Sequence, residues 1–170
     1  MSSFREITTE EFVHSPFKIL DKDWMLVTAA KEEKVNTMTA SWGGFGVLWN
    51  KNVAFVFIRP QRYTKEFVDH SDTLSLTFYS REYKKQLGYL GRVSGRDVDK
   101  IKESGLTLAR TEDGTPYFSE AKIIIKGKKL YAQELKPECF LVKDLDEKNY
   151  SEKDYHTMYV VEVEKILVAE

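Results

Sequence analysis

The sequence predicts a mainly β domain, a closed or nearly closed barrel with a few short helices at its edge. Short runs rich in β-branched and aromatic residues recur along the whole chain, several alternating with the period of a half-buried strand. Helical spacing is confined to brief stretches between them. The strict β-α-β alternation of a doubly wound parallel sheet is missing.

In chain order, Trp24 to Ala30 (WMLVTAA) reads as a buried strand and Val35 to Trp42 (VNTMTASW) as an alternating one. The polar link Lys31 to Lys34 joins them as a hairpin. Val53 to Ile58 (VAFVFI) is continuously apolar, as in a central strand covered on both faces. Leu74 to Tyr79, Lys122 to Gly127, Lys129 to Gln133, Cys139 to Asp144 and Met158 to Val168 supply further strands. Thr64 is placed to N-cap a helix over Lys65 to His70, and Asp97 one that ends near Gly105. Arg81 to Leu90 sets Tyr83, Leu87 and Leu90 at helical spacing. Turns are expected at Gly43-Gly44, Asn50 to Asn52, Asp113 to Pro116 and Lys136-Pro137.

The 170 residues fit one domain, taken as 1–170, and 42% apolar with 13% aromatic residues argues for a packed core. Charged residues make up 31%, but the formal net charge is only -1, which gives no electrostatic case for nucleic acid or an anionic membrane. No run is long and apolar enough to span a bilayer. The single cysteine, Cys139, allows no intrachain disulfide and no cysteine-based metal site, and its apolar neighbours make it a core residue. A reducing compartment, and with no apolar leader the cytoplasm, is the expected location. The three histidines, His14, His70 and His156, show no metal-ligand spacing, so no metal is expected.

Three segments carry chemistry. Asn36 to Gly46 (NTMTASWGGFG) runs small polar residues off a strand end into glycines, where backbone can approach a flat ligand closely or simply form a flexible corner. It is not a dinucleotide fingerprint, because Trp49 stands where the third glycine belongs. Arg59 to Thr64 (RPQRYT) offers two guanidinium groups just before a helix start, which suits a phosphate; solvated arginines at a strand end are the plain alternative. Ser94 to Lys100 (SGRDVDK) reads as a turn and helix start, with Lys100 able to face a pocket. His156 lies after a polar loop and before the last strand, at a barrel rim or on an ordinary surface.

Taken together, the chain resembles the flavin reductase-like, FMN-binding split-barrel family, and its flavoredoxin-like branch, from about Trp24 to Val168. The segments Asn36 to Gly44, Arg59 to Thr64, Ser94 to Lys100 and His156 to Tyr159 carry the resemblance by their order and spacing. It implies a split β-barrel and a homodimer with one FMN per subunit. Asn36 with Thr39, Ala40, Ser41 and Trp42 match the wall around the flavin ring and ribityl chain. Arg59, Arg62 and Thr64 match the phosphate loop, Lys100 a lysine reaching the flavin region, and His156 a catalytic histidine at the flavin face. The chain departs at Phe45 to Leu48, apolar where flavoredoxin-like proteins carry cysteines.

The implied function is an FMN oxidoreductase that passes hydride or electrons between NAD(P)H and flavin or a downstream acceptor. The alternative is a non-enzymatic FMN electron carrier that serves a redox protein partner. A flavin-free oligonucleotide-binding barrel is disfavoured by the near-neutral charge.

Overall fold

The computed structural model describes residues 3–170. Its strands are β1 (Phe4–Ile7), β2 (Met25–Lys31), β3 (Lys34–Ala40), β4 (Gly43–Leu48), β5 (Lys51–Ile58), β6 (Thr73–Phe78), β7 (Leu108–Arg110), β8 (Pro116–Phe118), β9 (Ile123–Glu134) and β10 (Thr157–Ala169). The α-helices are α1 (Pro16–Lys18), α2 (Thr64–His70), α3 (Lys84–Arg92), α4 (Lys100–Ser104) and α5 (Lys143–Asn149). One antiparallel sheet runs β3-β2-β6-β9-β10-β5-β4, with β1 added beside β10, and β7-β8 forms a separate ribbon.

The sheet curls on itself. Phe45 of β4 meets Phe78 of β6, ring centroids 6.5 Å apart, although three strands, β9, β10 and β5, separate them along the sheet. Val27, Leu76, Ile125 and Val161 face a shared interior with Val56 and Tyr159. The residues next to them point the other way: Leu26 and Ile124 pack outward against Leu87 and Leu90 of α3 and Phe118 of β8. That alternation, with both faces covered, is why β2 and β9 read as continuous apolar runs. The register of β10 against β9 slips at Val160/Val161 and again at Val163/Lys165, and these bulges let the longest strands bend around the barrel.

The hairpin of β2 with β3 and the strands β5, β6, β9 and β10 fall where the sequence places them, whereas β1 and the ribbon β7-β8, which starts its second strand at Pro116 of the expected turn, are not anticipated by it. Lys31 pairs with Lys34 across Glu32-Glu33. Lys122 to Gly127 and Lys129 to Gln133 merge into the single strand β9. Other expectations are corrected. Gly43-Gly44 is not a turn but the start of β4, paired with Val56 and Phe55. The next turn is Trp49-Asn50, both at positive φ as a two-residue primed hairpin loop requires, so Lys51 and Asn52 already lie in β5. Cys139 to Asp144 forms no strand: a short 3-10 turn at Pro137–Cys139 leads toward α5, Leu141 is 98% exposed and Cys139 is exposed, not core. Apolar composition alone does not make a strand: this segment pairs with no strand of the sheet, and its residues from Lys143 on turn into α5. Thr64 is the first residue of α2, not its cap, and Asp99 instead of Asp97 caps α4, accepting from the Lys102 N–H.

Gly127 packs tightly at the bend between β9 and β10. A Cβ there would stand 2.5 Å from Val161 Cγ1 and 2.7 Å from the Glu162 carbonyl oxygen. Gly127→Ala is therefore expected to destabilise by about 1–3 kcal/mol, the usual cost of overpacking. Gly88 lies inside α3, and a Cβ added to it would meet nothing within 4 Å, so Gly88→Ala should instead stabilise by about 0.5–1 kcal/mol. Urea unfolding of both variants checks the pair of opposite signs.

Candidate functional site

The site forms where β3 stops. The β2-β3 ladder ends at Ala40, the β4-β5 ladder begins at Gly43, and Ser41-Trp42 carry the chain from one edge of the sheet to the other. At this break a cleft of about 260 Å³ is lined by Met38, Thr39, Ala40, Ser41, Trp42, Phe57, Arg59, Arg62 and His156. A second cleft of about 660 Å³ shares the wall Thr39 to Ser41 and is closed on its far side by Leu87, Gly88, Gly91 and Arg92 of α3. The two volumes lie within or near the range of small-molecule sites.

Thr39, Arg59, Arg62 and His156 are each held by an identifiable contact. Thr39 Oγ1 donates to the Leu87 carbonyl at 2.5 Å, tying β3 to α3. Arg59 donates to Asp154 at 2.5 Å and to the Asn149 carbonyl at 2.8 Å, and lies 5.0 Å from the centre of the Tyr150 ring. Gln61 donates to the same Asp154 oxygen at 2.7 Å. Hydrogen bonds from Gln61 and Arg59 hold the Asp154 carboxyl below its usual pKa. Arg62 donates from one nitrogen to the Gly91 carbonyl at 2.8 Å, and burial lowers its pKa without discharging it. His156 accepts or donates at Nδ1 with Tyr150 Oη, 2.8 Å away, and its ring centroid is 5.2 Å from that of Trp42. Burial, then the nearby Arg59 charge, pushes the His156 pKa down to about 4.

Of the residues singled out in the sequence, Thr39, Ala40, Ser41, Trp42, Arg59, Arg62 and His156 come together in one cleft. Asn36, Thr64 and Lys100 do not. Asn36 and Lys100 line a neighbouring depression, and Thr64 is buried. Asn36 Nδ2 donates to Thr64 Oγ1 at 3.0 Å, joining β3 to α2. Lys100 is 3% exposed, and its ammonium donates to the carbonyls of Leu90 and Val93 at the end of α3. Burial, with a smaller push from Arg62, lowers its pKa to about 8. These three residues therefore shape the site from behind: Lys100 fixes the end of α3 whose Gly91 carbonyl holds Arg62.

Sequence reasoning missed Tyr150, Asp154 and the α3 glycines. Asp154 meets Arg59 across 95 residues of chain, a pairing that no local spacing encodes. Gly88 and Gly91 did carry a signal. They sit three apart in a helix, where glycine is unfavourable and residues so spaced share a face.

The architecture agrees with that of the chain's relatives. Residues 20–170 match the family model of the flavin reductase like domain, and the chain belongs to that family. No curated protein matches the sequence. Among solved structures it is similar to the FMN-binding domain of a flavin reductases-like enzyme from Shewanella baltica, with 15% identity, 98% of this chain and 78% of that one covered, and a TM-score of 0.71. It is also similar to flavoredoxin from Methanosarcina acetivorans (22% identity, 85% and 67% covered, TM-score 0.64). A third is an NADH:FAD oxidoreductase from Streptomyces globisporus (14% identity, 87% and 77% covered, TM-score 0.65). At these identities the likeness is one of fold. No helix among the described residues is long and apolar enough to cross a membrane.

The neutral, buried state of His156 has a consequence for stability. The unfolded chain takes up its proton as pH falls through 6.5, the folded chain only near 4. The contribution of the group is therefore complete above pH 6.5 and is lost as pH falls from 6.5 to 4. His156→Gln should lose less stability than the wild type between pH 7 and pH 4.5 in urea unfolding; equal losses would contradict the burial of a neutral ring.

Proposed function

We propose that this chain binds FMN in the two joined clefts and works as an NAD(P)H-dependent flavin oxidoreductase of the cytoplasm. The observation that carries the reading is the convergence of Thr39 to Trp42, Arg62 and His156 on the break in the barrel.

The residues present fit such a group. The α3 face at Gly88 leaves open space where a Cβ would stand, so a flat ring system can lie against the helix opposite Thr39 to Ser41. β3 pairs only with β2, so its other edge is free to offer backbone donors and acceptors to a ligand. Two guanidinium groups stand at the cleft. Arg59 is already committed to Asp154 and the Asn149 carbonyl, whereas Arg62 spends one nitrogen on Gly91. Arg62 is thus the phosphate donor of this site, and Arg59 a fixed positive charge beside it.

When bound, FMN supplies the capacity to accept a hydride and pass on electrons singly or in pairs. The protein's own part is to orient and to tune. Arg59 and Arg62 place positive charge where reduction adds negative charge. Trp42, 50% exposed at the cleft mouth, gives an aromatic face to an incoming donor. His156 is a neutral polar contact beside it, the residue of this chain with the catalytic role.

A homodimer belongs to the same reading. Phe17 is 87% exposed, and with Trp42 it borders a depression of about 690 Å³ next to the cleft, a surface suited to burial against a second subunit. The same surface would serve a redox protein if the chain is an electron carrier.

Arg62→Ala tests the assignment of the phosphate end. Losing a charge-assisted hydrogen bond costs about 1.5–3 kcal/mol, roughly a tenfold to hundredfold loss of FMN affinity. Riboflavin lacks the phosphate and should bind the variant almost as it binds the wild type. Calorimetric titration with both ligands decides it; equal losses would mean that Arg62 holds only the protein.

A further inference from the structure

His156 immediately precedes β10, its backbone carbonyl accepting from the Leu135 N–H at 2.9 Å, and Trp42 lies against its ring. Its Nδ1 is 2.8 Å from Tyr150 Oη. Tyr150 is buried, stacked on Tyr155 with centroids 4.9 Å apart, and flanked by Phe140 and by the guanidinium of Arg59. Two hydrogen-bond arrangements join a phenol to an imidazole nitrogen. In one the phenol donates to a bare Nδ1; in the other a protonated Nδ1 donates to the phenol oxygen.

Only the first uses the phenol proton. Among the described residues Tyr150 Oη has no hydrogen-bond partner other than Nδ1. If Nδ1 carried the ring proton, the phenol proton of Tyr150 would have no acceptor among the described residues. The proton of the neutral ring therefore sits on Nε2. Gln86 Oε1 is the one buried side-chain polar atom without a partner among the described residues, so Nε2, which also has none there, is open to the cleft.

We propose that Tyr150 is a positioning residue that locks His156 as the Nε2–H tautomer and so makes the ring a fixed hydrogen-bond donor into the cleft. Its target is an acceptor atom of carbonyl type, on the bound ring system or on the carboxamide of an incoming reductant, and this role rests on the flavin reading above. The charged groups facing the ring agree with a single ring proton. Arg59 opposes a second one, Asp154 favours it, and burial together with Arg59 prevails. Tyr150 holds Nδ1 from one side while Arg59, clamped by Asp154 and the Asn149 carbonyl, holds the Tyr150 ring from the other.

The test is nitrogen NMR of protein labelled at its three histidines, as purified and without added nucleotide at pH 7, with His156→Gln used to assign the signals. His156 is expected to show an unprotonated Nδ1 and a protonated Nε2. In Tyr150→Phe, which keeps the ring for Tyr155 and Arg59 but removes the donor, a population protonated on Nδ1 should appear. The His156 titration midpoint should also rise by about one pH unit, because the lost bond favoured the neutral ring. A proton on Nδ1 in the wild type overturns the proposal without need of any variant. So does a Tyr150→Phe protein with unchanged tautomer and midpoint. The readout involves no flavin turnover, so a failure to bind or reduce FMN would be seen separately from a failure of the lock.

Discussion

A two-residue link sets the geometry on which the rest depends. β3 and β4 lie at opposite ends of the sheet path, yet only Ser41 and Trp42 separate them in sequence. Three virtual bonds of 3.8 Å keep Ala40 and Gly43 within about 11 Å of each other. The sheet must therefore curl until its two edges nearly meet. They do not pair, which would need strands about 4.8 Å apart. The result is a barrel that is almost closed and open along one seam, and the clefts lie on that seam. Gly43 begins β4 so close to β5 that a Cβ would stand 2.6 Å from the Phe55 carbonyl oxygen. A larger residue would push the two strands apart at the seam.

The polar residues around the seam divide into two groups by what they already hold. Asn36, Thr64, Lys100 and Arg59 spend their hydrogen bonds on the protein: on one another, on helix-end carbonyls and on Asp154. Arg62 and His156 keep capacity that faces the cleft. This division matters for reading function, since a buried cation that caps a helix and a cation that awaits an anion look alike in a sequence. Lys100 shows the difference: it supports Arg62 through the end of α3 without lining the cleft itself.

Much of the fold was legible because its strands obey local rules. Alternation and apolar runs give β2, β3, β5, β6 and β10, and the polar link gives the first hairpin. β4 was hidden because glycine has little strand preference of its own, and pairing with β5 overrides it. The false strand at Cys139 to Asp144 had the right composition but pairs with no strand, lying between a 3-10 turn and α5. The site was legible where its residues are contiguous, as in Thr39 to Trp42. It was illegible where it is built by distant pairing, as with Arg59 and Asp154 or Tyr150 behind His156. Residue type brought Asn36, Thr64 and Lys100 to attention and resemblance gave them ligand roles, but their hydrogen bonds go to one another and to the carbonyls at the end of α3.

The central claim is that the seam of the barrel holds FMN in a state that a reduced nicotinamide can reach. The most direct measurement is the absorbance spectrum of the purified protein reconstituted with FMN, under argon, before and after NADH and then NADPH. The account predicts a protein-bound flavin spectrum that one of the two nucleotides bleaches. A protein that stays colourless after incubation with FMN and gel filtration, and shows no binding by titration, would contradict it.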